Sequence, residues 1–166
     1  MMYDSKNNRL DIWNEKKKQI DKRRNINHKK DGNVKFRIRP WSLWWFEVGE
    51  NIGSETSCYF LKDKMTSLRP CVVISTNNFN HATYNKKVVV MPLTSKKENG
   101  KVKHFHYELK AEKYVYIKEN SIEYKGLEKD SLVICNDIKT IDTKRLSEPI
   151  YSKLDLVDIE NIQKFI

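Results

Sequence analysis

Two short and almost uninterrupted apolar runs constrain this chain most: Arg69-Pro70-Cys71-Val72-Val73-Ile74-Ser75-Thr76 and Lys87-Val88-Val89-Val90-Met91-Pro92-Leu93. Rich in β-branched residues and lacking a polar alternate face, they read as central strands of a sheet. Other segments carry the period of two expected of a pleat. Trp44, Phe46 and Val48 alternate with Leu43, Trp45 and Glu47, and Val102 to Leu109 alternates again. Ser131 to Ile138 is a further strand, and Tyr114 to Ile117 is a weaker one. Several short strands separated by turns, with little helix, point to a mainly β (α+β) chain built on a small antiparallel barrel.

Helical texture is confined to the two ends. From Leu10 to about Arg24 the chain reads as a Lys- and Arg-rich helix, with Leu10, Trp13 and Ile20 on a narrow stripe that Lys17 completes through its aliphatic stem. So thin a stripe either lies across a domain surface or stays solvated until a partner orders it. A polar linker follows over residues 25–40, with Asp31-Gly32 as its turn and Pro40 at its end. The chain therefore divides into a basic helical extension and linker, 1–40, and a domain, 41–166. Gly49 to Gly53 ends the first strand, and residues 54–68 form a polar loop of the length that usually serves function. Near the C-terminus, Asp142 to Leu146 makes one short helical turn. Asp155 then caps a terminal helix whose Leu156, Ile159, Ile162 and Ile166 share one face.

Length and composition limit the classes available. The chain of 166 residues holds one domain with an extension, and its 18 aromatic side chains argue against wholesale disorder. Of its net charge of +10, residues 1–40 carry +8 (13 Lys/Arg against 5 Asp/Glu), so a uniformly basic, histone-like protein is excluded. No apolar run reaches the roughly 18 residues of a membrane span, and the first 30 residues lack the apolar core of a signal peptide. Cys58, Cys71 and Cys135 are odd in number, with no C-x-x-C; Cys71 and Cys135 sit in strand-like runs as small hydrophobes. The expectation is a cytoplasmic protein with no disulfide framework and no membrane partner.

Most chemical signatures are missing: there is no phosphate-cradling glycine loop, no H-E-x-x-H, no G-x-S-x-G and no zinc-finger spacing. His104 and His106, two apart on a strand, share a face and have the chemistry for a metal or for acid–base work on RNA; a solvated strand face is the plainer reading. Neither a cofactor nor a metal site is expected.

An ordered set of blocks is far more specific. Asn51-Ile52-Gly53-Ser54-Glu55 is followed by Arg69-Pro70-Cys71-Val72-Val73-Ile74-Ser75. Val89-Val90-Met91-Pro92-Leu93-Thr94-Ser95 comes next, and then Gly126-Leu127-Glu128-Lys129-Asp130-Ser131. Lys139-Thr140-Ile141-Asp142-Thr143-Lys144-Arg145-Leu146 completes the series. Over about residues 43–166 this resembles the MazF/PemK family of toxin–antitoxin ribonucleases. The resemblance implies an SH3-like barrel with a terminal helix, a homodimer, a cognate antitoxin partner, and metal-independent cleavage of single-stranded RNA that leaves a 2′,3′-cyclic phosphate. It makes Arg69 and Thr94 the catalytic pair, with Glu55 the candidate base, and it places Ser54, Ser95, Lys96, Asp137 and Lys139 in RNA binding. Because an arginine stays protonated, Arg69 is read as a charge stabiliser rather than a base. Lys139 stands where the family usually has arginine, which exchanges a bidentate grip for a point charge. Asn136-Asp137 departs from an acid-then-Gln pair. A non-catalytic barrel that binds nucleic acid or protein remains the alternative, and a toxin of this fold acting on a protein is a third.

Overall fold

The computed structural model describes residues 6–23, 38–49, 51, 68–82, 86–97 and 100–166. The Asp31-Gly32 turn, Cys58, and loop residues 54–67 lie outside them. Nine strands and three helices are described: α1 (Lys6–Asp21), β1 (Leu43–Glu47), β2 (Leu68–Val73), α2 (Asn77–Ala82), β3 (Lys87–Ser95), β4 (His106–Leu109), β5 (Ile117–Glu119), β6 (Ile122–Tyr124), β7 (Ser131–Ile134), β8 (Lys139–Asp142), β9 (Leu146–Tyr151) and α3 (Leu156–Gln163). Seven strands form one antiparallel sheet in the order β4-β7-β3-β2-β1-β9, with β8 also on β3, while β5 and β6 form a separate hairpin. The sheet is mainly β with a helix at each end of the chain, as expected, but it stays open. Among the described residues β4, β8 and β9 each have one free edge, so the expected barrel does not close.

Both expected central strands are central. β2 pairs with β1 and β3, and β3 pairs with β2 on one edge and with β7 and β8 on the other. The expected strand over Ser131–Ile138 ends at Ile134, a further strand, β8, begins only at Lys139, and Pro92 supplies the reason. Ile74 N–H donates to the Val89 carbonyl, so Val89 and Met91 bond toward β2 while Val90 and Pro92 face β7 and β8. Having no N–H, Pro92 cannot continue that outer ladder, a position tolerated only at edges and bulges. β8 pairs with β3 as far as Val90 and β7 resumes at Leu93; the chain between them turns at Asp137, whose N–H donates to Ile134.

Each face of the sheet has its own core. On one side Leu43, Val72, Met91, Leu93, Leu109 and Val133 pack with Leu154, Ile159 and Ile162. On the other, Trp44, Phe46, Val48, Cys71, Val73, Val88 and Val90 pack with Ile38, Ile141 and Leu146. The alternation of β1 therefore separates two buried faces rather than an inside from an outside. Burial pushes the Cys135 thiol up to about 11 and Cys71 further still, so both are inert hydrophobes.

Helix α3 closes the first core, capped by Asp155, whose carboxylate accepts from Asp158 N–H (2.8 Å). Its buried face differs from the one expected. Ile159 and Ile162 are inside, but Leu156 (69 %) and Ile166 (65 %) are exposed, and Asp158 is buried in their place. The eight-residue helix is too short to carry Ile166 on its stripe, and Asp158 is held by chemistry rather than hydrophobicity. It accepts from the Tyr107 hydroxyl (2.6 Å) and the Tyr114 hydroxyl, with the Lys113 ammonium at 3.3 Å. Burial and this carboxylate push both tyrosines above the ordinary phenol range.

Helix α1 lies beside the second core. Trp13 and Ile20 retain only 3 % and 6 % of their surface, and Leu10 is half-buried. Trp13 fills a space that exists because position 49 is glycine; a Cβ there would lie 2.1 Å from the ring. The Arg145 guanidinium sits 5.5 Å from the ring centre, and the Lys17 ammonium at 5.8 Å. Lys17 is nevertheless exposed, and Lys16 is the residue that reaches inward. The buried Glu47 pairs with Arg23 (2.6 Å) and Lys16 (3.6 Å), and the Lys144 ammonium donates to the Asp21 carbonyl at the end of α1 (2.7 Å).

Smaller departures have local causes. The expected helical turn at Asp142–Leu146 is a 3-10 turn over Thr143–Arg145, with the Asp142 carboxylate accepting from Lys144 N–H (2.8 Å). β9 follows it, concealed in the sequence by Pro149, which an edge strand accommodates. The weak strand at Tyr114–Ile117 is displaced to β5, which Asn120 and Ser121, both at positive φ, join to β6 through a tight two-residue turn. Among the described residues, no helix is long and apolar enough to cross a membrane.

Replacing Trp13 with alanine is expected to destabilise the fold by about 3–5 kcal/mol, the usual cost for a buried indole. Gly49→Ala should displace the same ring and lower the melting temperature in the same direction. Thermal melts of both variants check this; melting temperatures equal to wild type would show α1 to be a free arm.

Candidate nucleic-acid cleavage site

The β2–β3 register, carried two residues past the Cys71–Pro92 pair, sets Arg69 opposite Thr94. In that register the pair is of the non-hydrogen-bonded kind, in which cross-strand side chains approach most closely. Both residues end or begin apolar runs, where the strands leave the second core and their polar side chains meet solvent. They line one cleft of about 330 Å³ together with Trp45, Ser95, Lys129 and Ser131; Leu68, Pro70, Leu93, Gly126, Leu127 and Glu128 complete its walls. Trp45 arrives on β1 directly opposite Pro70.

The wall from Gly126 to Lys129 depends on backbone geometry. Gly126 has φ +81°, and a Cβ there would lie 2.2 Å from the Tyr114 carbonyl oxygen, so only glycine fits. Its N–H donates to Ile150 and that of Leu127 to Tyr114, which brings Glu128 and Lys129 to the cleft. The Ser131 hydroxyl donates back to the Lys129 carbonyl (3.0 Å). Beneath this loop, the N–H of Ala111 and the ammonium of Lys110 hold the Asp130 carboxyl below its usual range.

The cleft can do three things chemically. A guanidinium and an ammonium can hold phosphate oxygens, the Thr94 and Ser95 hydroxyls can donate to the same group, and the Trp45 face can stack on a base. Trp45, Lys129, Glu128 and Ser131 were not singled out by sequence. Glu128, Lys129 and Ser131 do fall in the Gly126–Ser131 block, and Trp45 was visible only as one phase of an alternating strand.

The other candidate residues are distributed differently. Ser54 and Glu55 lie outside the described residues. Lys96 follows the cleft, but its ammonium is bound to Glu108 (2.9 Å), whose carboxyl the hydrogen bonds from Lys110 and Lys96 hold low. Asp137 and Lys139 pair with each other (3.1 Å) and do not line the cleft. Nor do His104 and His106 share a strand face: His104 lies in the turn before β4 and is exposed, whereas His106 starts β4 and is half-buried. Burial first, and then Lys103, lower the His106 pKa. Among the described residues, no three His, Cys, Asp or Glu side chains are grouped to hold a metal.

An open antiparallel sheet with terminal helices and a cleft lined by Arg69, Lys129 and hydroxyls defines a small mainly-β domain. Residues 39–166 match the model of the PemK-like, MazF-like toxins of type II toxin–antitoxin systems, and the chain belongs to that family, whose toxins are endoribonucleases. Among solved structures it is similar to Mycobacterium tuberculosis toxin MazF-mt6, at 15 % identity over 75 % of this chain and 90 % of that one, with a TM-score of 0.47. It is also similar to an endoribonuclease in complex with its cognate antitoxin from Mycobacterial species, at 14 % identity over 78 % and 90 %, with a TM-score of 0.41. Comparison with curated proteins gives no significant match.

Because the folded-state pKa of His106 lies below its unfolded value, the stability tied to its neutral form is complete above about pH 6.5 and is lost on acidification. Wild type is therefore expected to lose more melting temperature between pH 7 and pH 5 than His106→Gln does. Equal losses would remove His106 from the balance.

Proposed function

We propose that this protein is a sequence-selective, metal-independent endoribonuclease that cuts single-stranded RNA as the toxin of a toxin–antitoxin pair. The observation that carries the reading is the placement of Arg69 and Thr94 opposite one another in a single cleft, at matching positions of two family blocks. The RNA's own 2′-oxygen attacks the adjacent phosphorus and the P–O5′ bond breaks, leaving a 2′,3′-cyclic phosphate and a 5′-hydroxyl. The 2′-hydroxyl proton goes to a base, and a proton is delivered to the departing O5′. Arg69 supplies fixed positive charge to the phosphorane-like transition state and Thr94 donates to a non-bridging oxygen, so that the charge work is done by side chains. Glu55 is the candidate base. Ser95 and Lys129 hold the backbone, and Trp45 stacks on a neighbouring base. The protein acts in the cytoplasm as a homodimer, and its antitoxin is a protein that occupies the RNA cleft.

Arg69→Ala should lower the cleavage rate by about 10²–10³, the usual loss for one electrostatic stabiliser. Thr94→Val should slow cleavage while leaving the melting temperature near wild type. RNA should be cut in EDTA, and an oligonucleotide carrying a 2′-deoxy sugar at the scissile position should remain whole. Activity abolished by EDTA and restored by magnesium would defeat the mechanism, and a near-wild-type rate in Arg69→Ala would remove that residue from the site.

A further inference from the structure

Between α1 and the 3-10 turn at Thr143–Arg145 lies a second cavity, of about 420 Å³, to which Lys17, Lys144 and Arg145 all bring positive charge. The guanidinium is fixed in place. Its Nε donates to the Glu47 carbonyl (2.8 Å) and it rests against the Trp13 ring, which leaves the fork of its two terminal nitrogens. The Glu47 carboxylate is committed to Arg23 and Lys16, and among the described residues no carboxylate forms an ion pair with Arg145. Burial lowers the Arg145 pKa, yet an arginine stays protonated, so a half-buried cation stands here without a contacting counter-ion. The Lys144 ammonium donates to the Asp21 carbonyl with the exposed Asp21 carboxylate 3.5 Å away, and that of Lys17 donates to the Asn14 side chain (3.3 Å). Asp142, the other carboxylate at the cavity, accepts from the Lys144 N–H. Three cations against two carboxylates leave the cavity positive.

On the reading that the protein cuts RNA, we infer that this seam between α1 and the 3-10 turn holds a second phosphate of the strand, away from the scissile one. Register places it. Arg69 pairs with Phe46 and Phe46 with Leu146, so Arg69 emerges on the face of the second core, the face beside which α1 lies. Two strand spacings, about 10 Å, separate the Arg69 backbone from that of Leu146, which directly follows Arg145. An extended single strand covers that span within a few nucleotides. Because the Trp13 indole is buried, the seam presents no ring on which a base can stack. What it presents is a planar fork beside two ammonium groups, the donor set that grips phosphate oxygens. Its volume suits a nucleotide unit and is far larger than one carboxylate side chain needs. Lys17 lies outside the residues 39–166 that match the family, so the chain's own extension completes this subsite. Binding energy gained at the seam orients the strand at Arg69, where the reacting phosphate sits.

The test is a charge scan along an RNA whose scissile position carries a 2′-deoxy sugar, so that it binds without being cut. One phosphate at a time is replaced by a neutral methylphosphonate, and each RNA is titrated with the full-length chain. Wild type should lose affinity at the scissile phosphate and at one further phosphate a few nucleotides away, there by on the order of tenfold, the worth of one charge-assisted contact. In Lys17→Gln and Arg145→Gln the loss at that further position should shrink or vanish. Arg145 also braces Glu47 and Trp13, whereas Lys17 is exposed, so Lys17→Gln should show the effect with a melting temperature near wild type. The same variant should flatten the slope of log affinity against log salt by about 0.7, one single-strand contact. A wild-type chain sensitive at no second phosphate would overturn the inference. So would a loss spread evenly over all phosphates, which marks a diffuse field, or variants that bind every RNA as wild type does, which leaves the seam to an acidic protein. Failure of the nuclease reading is distinguishable: the all-ribose RNA would then stay whole in the presence of wild type, whatever the scan shows.

Discussion

A single missing N–H on β3 organises much of this fold. β3 is the strand on which β2, β7 and β8 all depend, and its outer ladder must stop where Pro92 faces it. On one side of that break the strand is buried through Val88 and Val90 in the second core. On the other it runs out through Leu93 to Thr94 and Ser95, where the cleft opens. The break separates the part of the sheet that is sealed from the part that presents polar groups.

Burial on both faces sets a second condition. A sheet with two apolar faces needs two covers, and this chain supplies one from each end. α3 is fastened through a carboxylate buried among two tyrosines and a lysine, α1 through an indole set over a glycine and through counter-ions to Glu47. Part of the N-terminal basicity is thereby used within the fold. Arg23 and Lys16 supply counter-ions to the buried Glu47 carboxylate, where an unanswered charge costs far more than an exposed one does. With both faces covered, the end of the sheet beyond Pro92 is where strand-borne polar side chains open to a cleft.

How far the site was legible differs residue by residue. Arg69 and Thr94 stand at the polar ends of apolar runs, and order along the chain marked them; their meeting follows from register, which no local pattern reveals. Trp45 could not be told from a core aromatic, because β1 turns both of its phases toward buried surfaces. Nothing near Lys96 in the sequence announces that its ammonium pairs with Glu108, on another strand. That Asp137 and Lys139 answer each other as an ion pair likewise appears only in the folded chain. Charge in a sequence says that a group is ionised; only its neighbours say whether that ionisation is already answered.

The sequence by itself determined that this would be a mainly β chain with a helix at each end, because strand and helix periods are written in local spacing. It determined the two central strands, the Asp155 cap and the family, since each depends on residues close together or in fixed order. The tertiary structure alone decided that the sheet stays open, that the outer ladder of β3 breaks at Pro92, that Pro149 sits on an edge, and that Asp158 rather than Leu156 faces the core. It also decided that Trp13 rests on Gly49, 36 positions away. The physical reason is the same throughout: periodicity reports what a segment can bury, while burial, pairing and counter-ions are supplied by segments distant in the chain.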